Sequence, residues 1–367
     1  MMLRETIEKI KPIDTGLMEE AQRRLDNLTK PQGSLGRLEE MAKRVVGIKG
    51  EIEPILERKV IFTMAGDHGV AEEGVSAYPK EVTAQMVYNF LSGGAGINVL
   101  ARHIGAEVVV VDMGVASEIR SQESGVRSQE EEVRREKLEV RNFKDKKIAF
   151  GTKNIAKGPA MTRDEAIKSI EAGICVFEEE GRIDIVGTGD MGIANTTPSS
   201  AIVALYTGES VERVTGRGTG INDASWANKV RVIKKALEVN KPDISDPIDV
   251  LSKIGGFEIG GLVGVILAGA AHRTPVVIDG FISGAAALIA VGLEPKIKDY
   301  LFAAHCSVEI GHRIALEKMG LSPILDLNLR LGEGTGAALG INLIDAGCKI
   351  LTQMATFSSA GVSEKER

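Results

Sequence analysis

The feature that most constrains the fold is an alternation of short apolar runs with long helical patterns along most of the chain. Six runs rich in β-branched or other apolar residues are candidate strands, at 60–64, 108–111, 183–186, 276–278, 301–304 and 323–325. Patterns at 80–91, 164–179, 225–239 and 307–318 predict helices between or beside them. Because the apolar runs lack polar alternation, they are typical of strands that helices cover on both faces, and an α/β fold with a parallel sheet is predicted.

The two ends of the chain lack this alternation. Segments 13–28 and 335–357 predict helices with no strand beside them, so we expect the ends to pack together. The predicted division is a large α/β domain over 30–334 and a small helical domain formed by 1–29 together with 335–367. Segment 117–139 is densely charged and repeats Arg-Ser-Gln-Glu, which is typical of a solvated insertion in the large domain.

Composition and charge exclude several classes of function. The net charge is −6, and no stretch interleaves basic with aromatic residues, so nucleic acid is not an expected partner. The first residues carry charges where a signal peptide needs an apolar run, which favours the cytoplasm. The uncharged runs at 259–271 and 281–293 are shorter than the roughly 20 residues of a membrane span, so they predict buried helices and no membrane partner.

Cysteine and histidine show no pattern typical of a metal centre or a thiol enzyme. The three cysteines lie far apart, and the five histidines form no H-E-x-x-H motif. Glu309 and His312 supply only half of a di-iron signature. Cys306 adjoins His305, but adjacent side chains on a strand point to opposite faces. We therefore expect no metal site and no thiol catalysis.

Glycine is the anomaly of the composition, with 42 residues in 367 against a typical usage of about 7%. Turns that contain glycine and an acid follow the predicted strands at 66–69, 112–114, 187–192 and 279–280. In open α/β sheets, turns at the carboxyl ends of strands form the ligand crevice. Glycine and aspartate also make ordinary tight turns, so each turn alone leaves both interpretations open.

Segment 187–192 follows a predicted strand and matches the nucleotide-binding pattern G-x-G-x-x-G. In a dinucleotide site a helix would begin directly after the last glycine, whereas 195–198 intervenes here, and Asp190 would repel a pyrophosphate. An NAD-dependent oxidoreductase is the alternative enzyme class, and these two features argue against it.

Two further glycine clusters suggest roles for single residues. Cluster 216–220 precedes a helix that holds Lys229, and backbone amides with one lysine would suit a phosphate, although Lys229 could equally be a surface lysine. In cluster 330–336, Glu333 lies between glycines just before an apolar helix. A carboxylate held among backbone amides suits a general base.

Eight stretches together carry a resemblance to a known family. They lie at 28–39 (Leu-Thr-Lys-Pro-Gln-Gly-Ser-Leu-Gly-Arg-Leu-Glu), 65–70 (Ala-Gly-Asp-His-Gly-Val), 75–79, 82–86, 158–161, 192–198, 279–281 and 330–339. In this order they resemble the nicotinate-nucleotide:dimethylbenzimidazole phosphoribosyltransferase family, and the similarity runs along nearly the whole chain.

The resemblance implies a Rossmann-like parallel sheet with flanking helices, a small helical bundle from both chain ends, and a homodimer whose second copy helps enclose each site. It implies transfer of the 5-phosphoribosyl group of nicotinate mononucleotide to 5,6-dimethylbenzimidazole, which gives α-ribazole 5′-phosphate and nicotinate in assembly of the cobalamin nucleotide loop. Because no pyrophosphate leaves, no metal or cofactor is expected. A non-catalytic protein that binds a benzimidazole or its nucleoside could use the same pocket.

The resemblance also implies roles for single residues. Glu333 matches the glutamate that takes the proton from the attacking base. The other implied contacts are to the nucleotide by Asp190 and Gly192, to its phosphate by Lys229 and Ser307, and to the benzimidazole by Tyr78 and Gln85. Some relatives carry glutamate at the position of Asp190.

Overall fold

The structure, a computed structural model, describes residues 1–119, 142–218 and 220–363. Most of the predicted charged insertion at 117–139 lies outside the described residues. Over the described ranges the sheet contains six parallel strands in the order β3-β2-β1-β4-β5-β6. Their bounds are β1 (Lys59–Gly66), β2 (Ala106–Gly114), β3 (Phe143–Asp145), β4 (Ile185–Met191), β5 (Val276–Ile278) and β6 (Leu301–Ala303).

Helices connect the strands and cover the sheet. Within the described ranges they are α1 (Met2–Lys9), α2 (Thr15–Asp26), α3 (Arg37–Lys49), α4 (Glu81–Leu91), α5 (Gly96–Ile104), α6 (Arg163–Glu179), α7 (Thr196–Thr207), α8 (Val211–Val214), α9 (Asp223–Asn240), α10 (Pro247–Ile254), α11 (Phe257–Ala271), α12 (Phe281–Leu293), α13 (Ile310–Met319), α14 (Thr335–Gln353) and α15 (Phe357–Ala360). Short 3₁₀ segments lie at Gly69–Glu73 and Pro295–Tyr300.

The α/β fold with a parallel sheet and flanking helices is confirmed, and three strand predictions differ from the structure. Segment 187–191, expected to be a turn, belongs to β4. Segment 323–325 is not a strand, because only Leu325 forms a single bridge, with His305. The edge strand β3 was not predicted; it has three residues, none of them buried, so it lacks the apolar run that marks the other strands.

The strand order places a crevice between β1 and β4. From β1 the chain continues to β2 and β3 on one side of the sheet, and β4 begins a second series that continues to β5 and β6 on the other. At such a reversal the connections leave neighbouring strands in opposite directions, which opens a crevice at their carboxyl ends. The turns that follow β1, β4, β5 and β6 meet at this edge.

The two long uncharged runs form buried helices, as predicted. Nearly every residue of α11 and α12 is buried. Close approach of α11 to α6 depends on glycine, since a Cβ on Gly264 would lie 2.1 Å from the carbonyl oxygen of Ile170. Over the described residues no helix combines the length and apolar character that a membrane crossing requires.

A second, smaller apolar cluster joins the two chain ends through α2, α3 and the C-terminal part of α14. Its buried members are Ala21, Leu25, Leu28, Ala42, Val46 and Leu351. Helix α1 packs instead against α6 and α11, and the first turns of α14 lie against β4. The helices of both ends therefore do meet, together with α3, while the division at 29/30 and 334/335 stays a prediction.

Candidate active site

A cavity of about 150 Å³ lies at the carboxyl edge of β4, β5 and β6. Its walls come from 190–196, 280–282 and 330–332, together with Val75, Ser76, Gly218 and residues of the segment 305–309. Of the predicted site residues, Asp190, Gly192 and Ser307 line it. Of two larger cavities, one of about 360 Å³ around Arg37 and Phe302 contains none of the predicted site residues, and one of about 340 Å³ around Ile310 and Asp326 contains only Ser307. The cavity of about 150 Å³ is therefore the candidate active site.

Glu333 directly follows the cavity wall and is held in a strained backbone conformation. Its φ is +65°, a left-handed value that only a few per cent of non-glycine residues adopt and that recurs at functional sites. Its side chain is buried, and one carboxylate oxygen, Oε2, accepts a hydrogen bond from the backbone N–H of Ile97, 3.3 Å away, in the first turn of α5. Burial, reinforced by the charge of Asp279, raises the pKa of Glu333, while the Ile97 N–H acts in the opposite direction.

Neighbouring strands fix the turn that carries Glu333. A Cβ on Gly189 would lie 2.2 Å from the Glu333 carbonyl oxygen, so only glycine lets β4 approach the turn this closely. Asp279, at the end of β5, accepts hydrogen bonds from the N–H groups of Gly334 at 3.1 Å and Ala337 at 3.0 Å. The Thr63 hydroxyl of β1 donates to the Glu333 carbonyl at 2.9 Å. Three adjacent strands thus position one carboxylate.

The prediction that 187–192 is a turn that follows a strand is wrong. The segment is strand as far as Met191, and α7 begins only at Thr196. A Cβ on Gly187 would lie 3.1 Å from the side chain of Ala337 in α14, and one on Gly192 would lie 2.4 Å from the carbonyl oxygen of Gly66. These glycines allow close packing between elements of the protein.

Asp190 is buried in the cavity wall close to the turn of Glu333. Its Oδ2 accepts a hydrogen bond from Asn195 at 2.8 Å, and its buried Oδ1 has no partner among the described residues. Burial, helped by the charges of Asp279, Glu258 and Glu333, raises the pKa of Asp190 to about 8. At neutral pH this carboxyl is therefore mostly protonated, so it does not repel an anion as the sequence suggested.

Lys229 is not the surface lysine that the sequence left open, since only 1% of it is exposed. Its ammonium group donates to the Thr196 hydroxyl at 2.7 Å, directly behind the cavity wall. Burial lowers the pKa of Lys229 to about 8, and the nearby charge of Glu309 acts against that decrease. The lysine is thus mainly cationic at neutral pH and lies beside a cavity that Ser307 also lines.

Tyr78 and Gln85 do not line the cavity. Both are exposed, Tyr78 to 54%, and Gln85 lies on the outer side of α4. Helix α4 is nevertheless tied to the cavity wall, because the Thr83 hydroxyl accepts a hydrogen bond from the Ile193 N–H at 3.1 Å. Their predicted contact with a benzimidazole stays a prediction.

The buried titratable residues at this edge to which the sequence assigned no role include His68, Glu258 and Asp279. His68 and Glu258 lie 2.8 Å apart and are almost fully buried; burial alone would lower the pKa of His68, but the carboxylate raises it overall. A lone acid in an otherwise uncharged helix, as Glu258 is in α11, was the available signal. Over the described residues no group of three or more His, Cys, Asp or Glu could hold a metal ion.

Comparison with known proteins identifies the family of the chain. A family model described as "Phosphoribosyltransferase" matches residues 10–362, so the chain is a phosphoribosyltransferase by family. Two relatives, from Geobacter metallireducens and Geobacter sulfurreducens, are named nicotinate-nucleotide–dimethylbenzimidazole phosphoribosyltransferase, and each is 58% identical to the chain. Each alignment covers 99% of this chain; it covers 98% of the first relative and 99% of the second. The crystal structure of the enzyme of that name from Thermus thermophilus superposes with a TM-score of 0.86 at 40% identity, over 96% of this chain and 100% of the other. The chain belongs to this family, and the resemblance found in its sequence is confirmed.

Proposed function

We propose that the protein transfers the 5-phosphoribosyl group of nicotinate mononucleotide to 5,6-dimethylbenzimidazole in assembly of the cobalamin nucleotide loop. The products are α-ribazole 5′-phosphate and nicotinate. The observation that carries the proposal is Glu333, a buried carboxyl beside the crevice whose backbone is strained and whose pKa is raised. These are the properties of a side chain positioned to take a proton.

The reaction needs a base and little else. A ring nitrogen of dimethylbenzimidazole forms a bond to C1′ while the bond from C1′ to the pyridinium nitrogen breaks, and that electron pair leaves with nicotinate. The attacking ring becomes positively charged until its second nitrogen loses a proton, which Glu333 accepts. The raised pKa makes the Glu333 carboxylate a stronger base than an ordinary glutamate.

The nucleotide part of the substrate is proposed to bind in the cavity. Lys229 supplies a positive charge for the phosphate, and Ser307 lies close to the N-terminus of α13, where backbone N–H groups and the helix dipole favour an anion. The protonated carboxyl of Asp190 can donate a hydrogen bond to a ribose hydroxyl. Gly192 leaves room in the wall beside it.

The base is proposed to bind on the open side of the cavity, toward Tyr78 and Gln85. Leu331 lines the cavity and is 59% exposed, so a flat apolar ring that covered it would bury apolar surface. We further propose a homodimer, in which a second copy encloses this exposed side, and a cytoplasmic location.

The test is a reaction of the purified protein with nicotinate mononucleotide and dimethylbenzimidazole. Liquid chromatography should detect nicotinate and a ribazole phosphate in equal amounts, with neither formed when the base is omitted. Absence of nicotinate release would overturn the proposal, and tight benzimidazole binding without release would indicate a binding protein instead. Competition between several benzimidazoles, purines and phenols would then identify the preferred base.

A further inference from the structure

The Glu309 side chain occupies the glycine turn at 216–218. Its Oε1 accepts a hydrogen bond from the Gly218 N–H at 2.8 Å. A Cβ on Gly216 would lie only 2.0 Å from Oε2, so the carboxylate packs directly against this glycine. The residue is 8% exposed, and its buried Oε2 has no partner among the described residues. A buried carboxylate oxygen without a hydrogen-bond donor lowers the free energy of unfolding, so Glu309 is not placed here to stabilise the fold.

The Glu309 side chain does not cap its own helix. Glu309 is the N-cap residue of α13, a position where shorter side chains such as Asp or Ser ordinarily accept hydrogen bonds from the amides of the helix. The Glu309 side chain makes no such bond and reaches across the cavity wall to Gly218. The Glu309 side chain therefore leaves the backbone N–H groups at the N-terminus of α13 available to another anion. Its carboxylate instead accepts the Gly218 N–H of the turn at 216–218.

Lys229 lies on the other side of the same turn. Its Nζ is 3.4 Å from the place that a Cβ on Gly218 would take, and the charge of Glu309 acts on the lysine. The Glu309 carboxylate thus interacts with the Gly218 N–H and with the charge of Lys229, the two groups that would also hold the substrate phosphate. Two anions cannot both hold these groups, because like charges in contact repel strongly in a site with little water.

We infer that Glu309 acts as an internal stand-in for the phosphate, and that the 5′-phosphate of the substrate displaces its carboxylate from Gly218. The inference rests on the proposed function, since it deepens the phosphate subsite of that reaction. A phosphate dianion carries more charge than a carboxylate and makes more hydrogen bonds, so it can take over Lys229 and the turn. A nucleoside without phosphate cannot, so it leaves the Glu309 carboxylate on Gly218.

The test is the variant Glu309→Gln, whose amide oxygen can still accept the Gly218 hydrogen bond but carries no charge. Calorimetry should show that inorganic phosphate and nicotinate mononucleotide each bind about tenfold more tightly to the variant than to the unmodified protein. Dimethylbenzimidazole and nicotinate riboside should bind equally to both. Glu317→Gln, an exposed position on the same helix, is the matched control and should change nothing. Unchanged or weaker phosphate binding in Glu309→Gln would overturn the inference.

A crystal structure of the unmodified protein with inorganic phosphate tests the same point without a substitution. The phosphate should accept the Gly218 N–H, and the Glu309 side chain should have turned away from it. Phosphate bound at Lys229 with Glu309 still on Gly218 would contradict displacement. These measurements need no turnover, so failure of nicotinate release would count against the proposed reaction alone, and failure of displacement against the role of Glu309 alone.

Discussion

Replacement of Glu333 by glutamine should remove proton acceptance while leaving the site in place. The amide has nearly the volume of the carboxylate, and its oxygen can still accept the Ile97 N–H that holds Oε2 at 3.3 Å. The left-handed backbone of residue 333 is anchored through main-chain groups, by Thr63, Gly334 and the close approach of Gly189. None of these contacts involves the carboxylate, so the turn should keep its conformation.

The expected loss of activity follows from the role of the carboxylate. A well-positioned general base contributes about 10²–10⁴ in rate, so kcat should fall by this factor, equivalent to about 3–5 kcal/mol in the barrier. KM for nicotinate mononucleotide should change little, because Glu333 is not proposed to contact the nucleotide. Since the pKa of Glu333 is raised in the folded protein, its contribution to stability is fully present below the ordinary glutamate pKa and is lost as pH rises through the raised value. At neutral pH the glutamine variant should therefore unfold at no lower temperature than the unmodified protein.

Three measurements decide the case for Glu333. Initial rates of nicotinate release give kcat and KM, a pH series gives the acid limb of kcat/KM, and thermal unfolding reports the fold. The acid limb should be present in the unmodified enzyme and absent in the variant. A variant that turns over at a near-normal rate, or that keeps the acid limb, would refute the assignment; a low rate combined with a lower unfolding temperature would indicate damage to the turn.

Three further substitutions test how the site is held together. Gly189→Ala places a Cβ 2.2 Å from the Glu333 carbonyl and should lower kcat at least about tenfold through misplacement, whereas Gly158→Ala, with no atom within 4 Å, should be neutral in the same rate assay. Lys229→Met should raise KM for nicotinate mononucleotide. In the unmodified enzyme the affinity for this substrate should decline above about pH 8, where the lysine loses its proton. An affinity that stays constant above that pH would contradict the role of Lys229. Asp279→Asn leaves one of two backbone N–H groups without an acceptor and should lower the free energy of unfolding by about 1–3 kcal/mol in urea titrations.

The sequence predicted the parts of the fold that depend on apolar patterning. Strands β1, β2, β5 and β6 and the buried helices α11 and α12 appear as uninterrupted apolar runs, because burial on both faces leaves no polar positions. Strand β4 was predicted too short, since Gly187, Gly189 and Asp190 belong to residue types that favour turns. Their place in a strand depends on α14 and the Glu333 turn packing against them, and contacts between such distant segments leave no local pattern.

The sequence named candidate site residues but did not predict their charge states or their contacts. Glu333, Asp190, Lys229 and Ser307 were named from the family resemblance, and the structure brings all four to one edge of the sheet. Their charge states could not be predicted, because the raised pKa of Asp190 and the lowered pKa of Lys229 arise from burial. Glu309 was considered only as half of a metal signature, and its hydrogen bond to Gly218 joins positions 91 residues apart.

The excess of glycine acquires a different physical meaning in the structure. From sequence, the glycine clusters suggested backbone amides that face a nucleotide. At Gly189, Gly192 and Gly216, however, a Cβ would lie within 2.4 Å of the Glu333 carbonyl, the Gly66 carbonyl and the Glu309 carboxylate, respectively. Each of these glycines lets one part of the protein approach another, and two of them set the position of a carboxylate at the crevice. Substitution at such positions should therefore misplace a charged group by fractions of an ångström or more, and an error of that size is enough to cost a well-oriented reaction much of its rate.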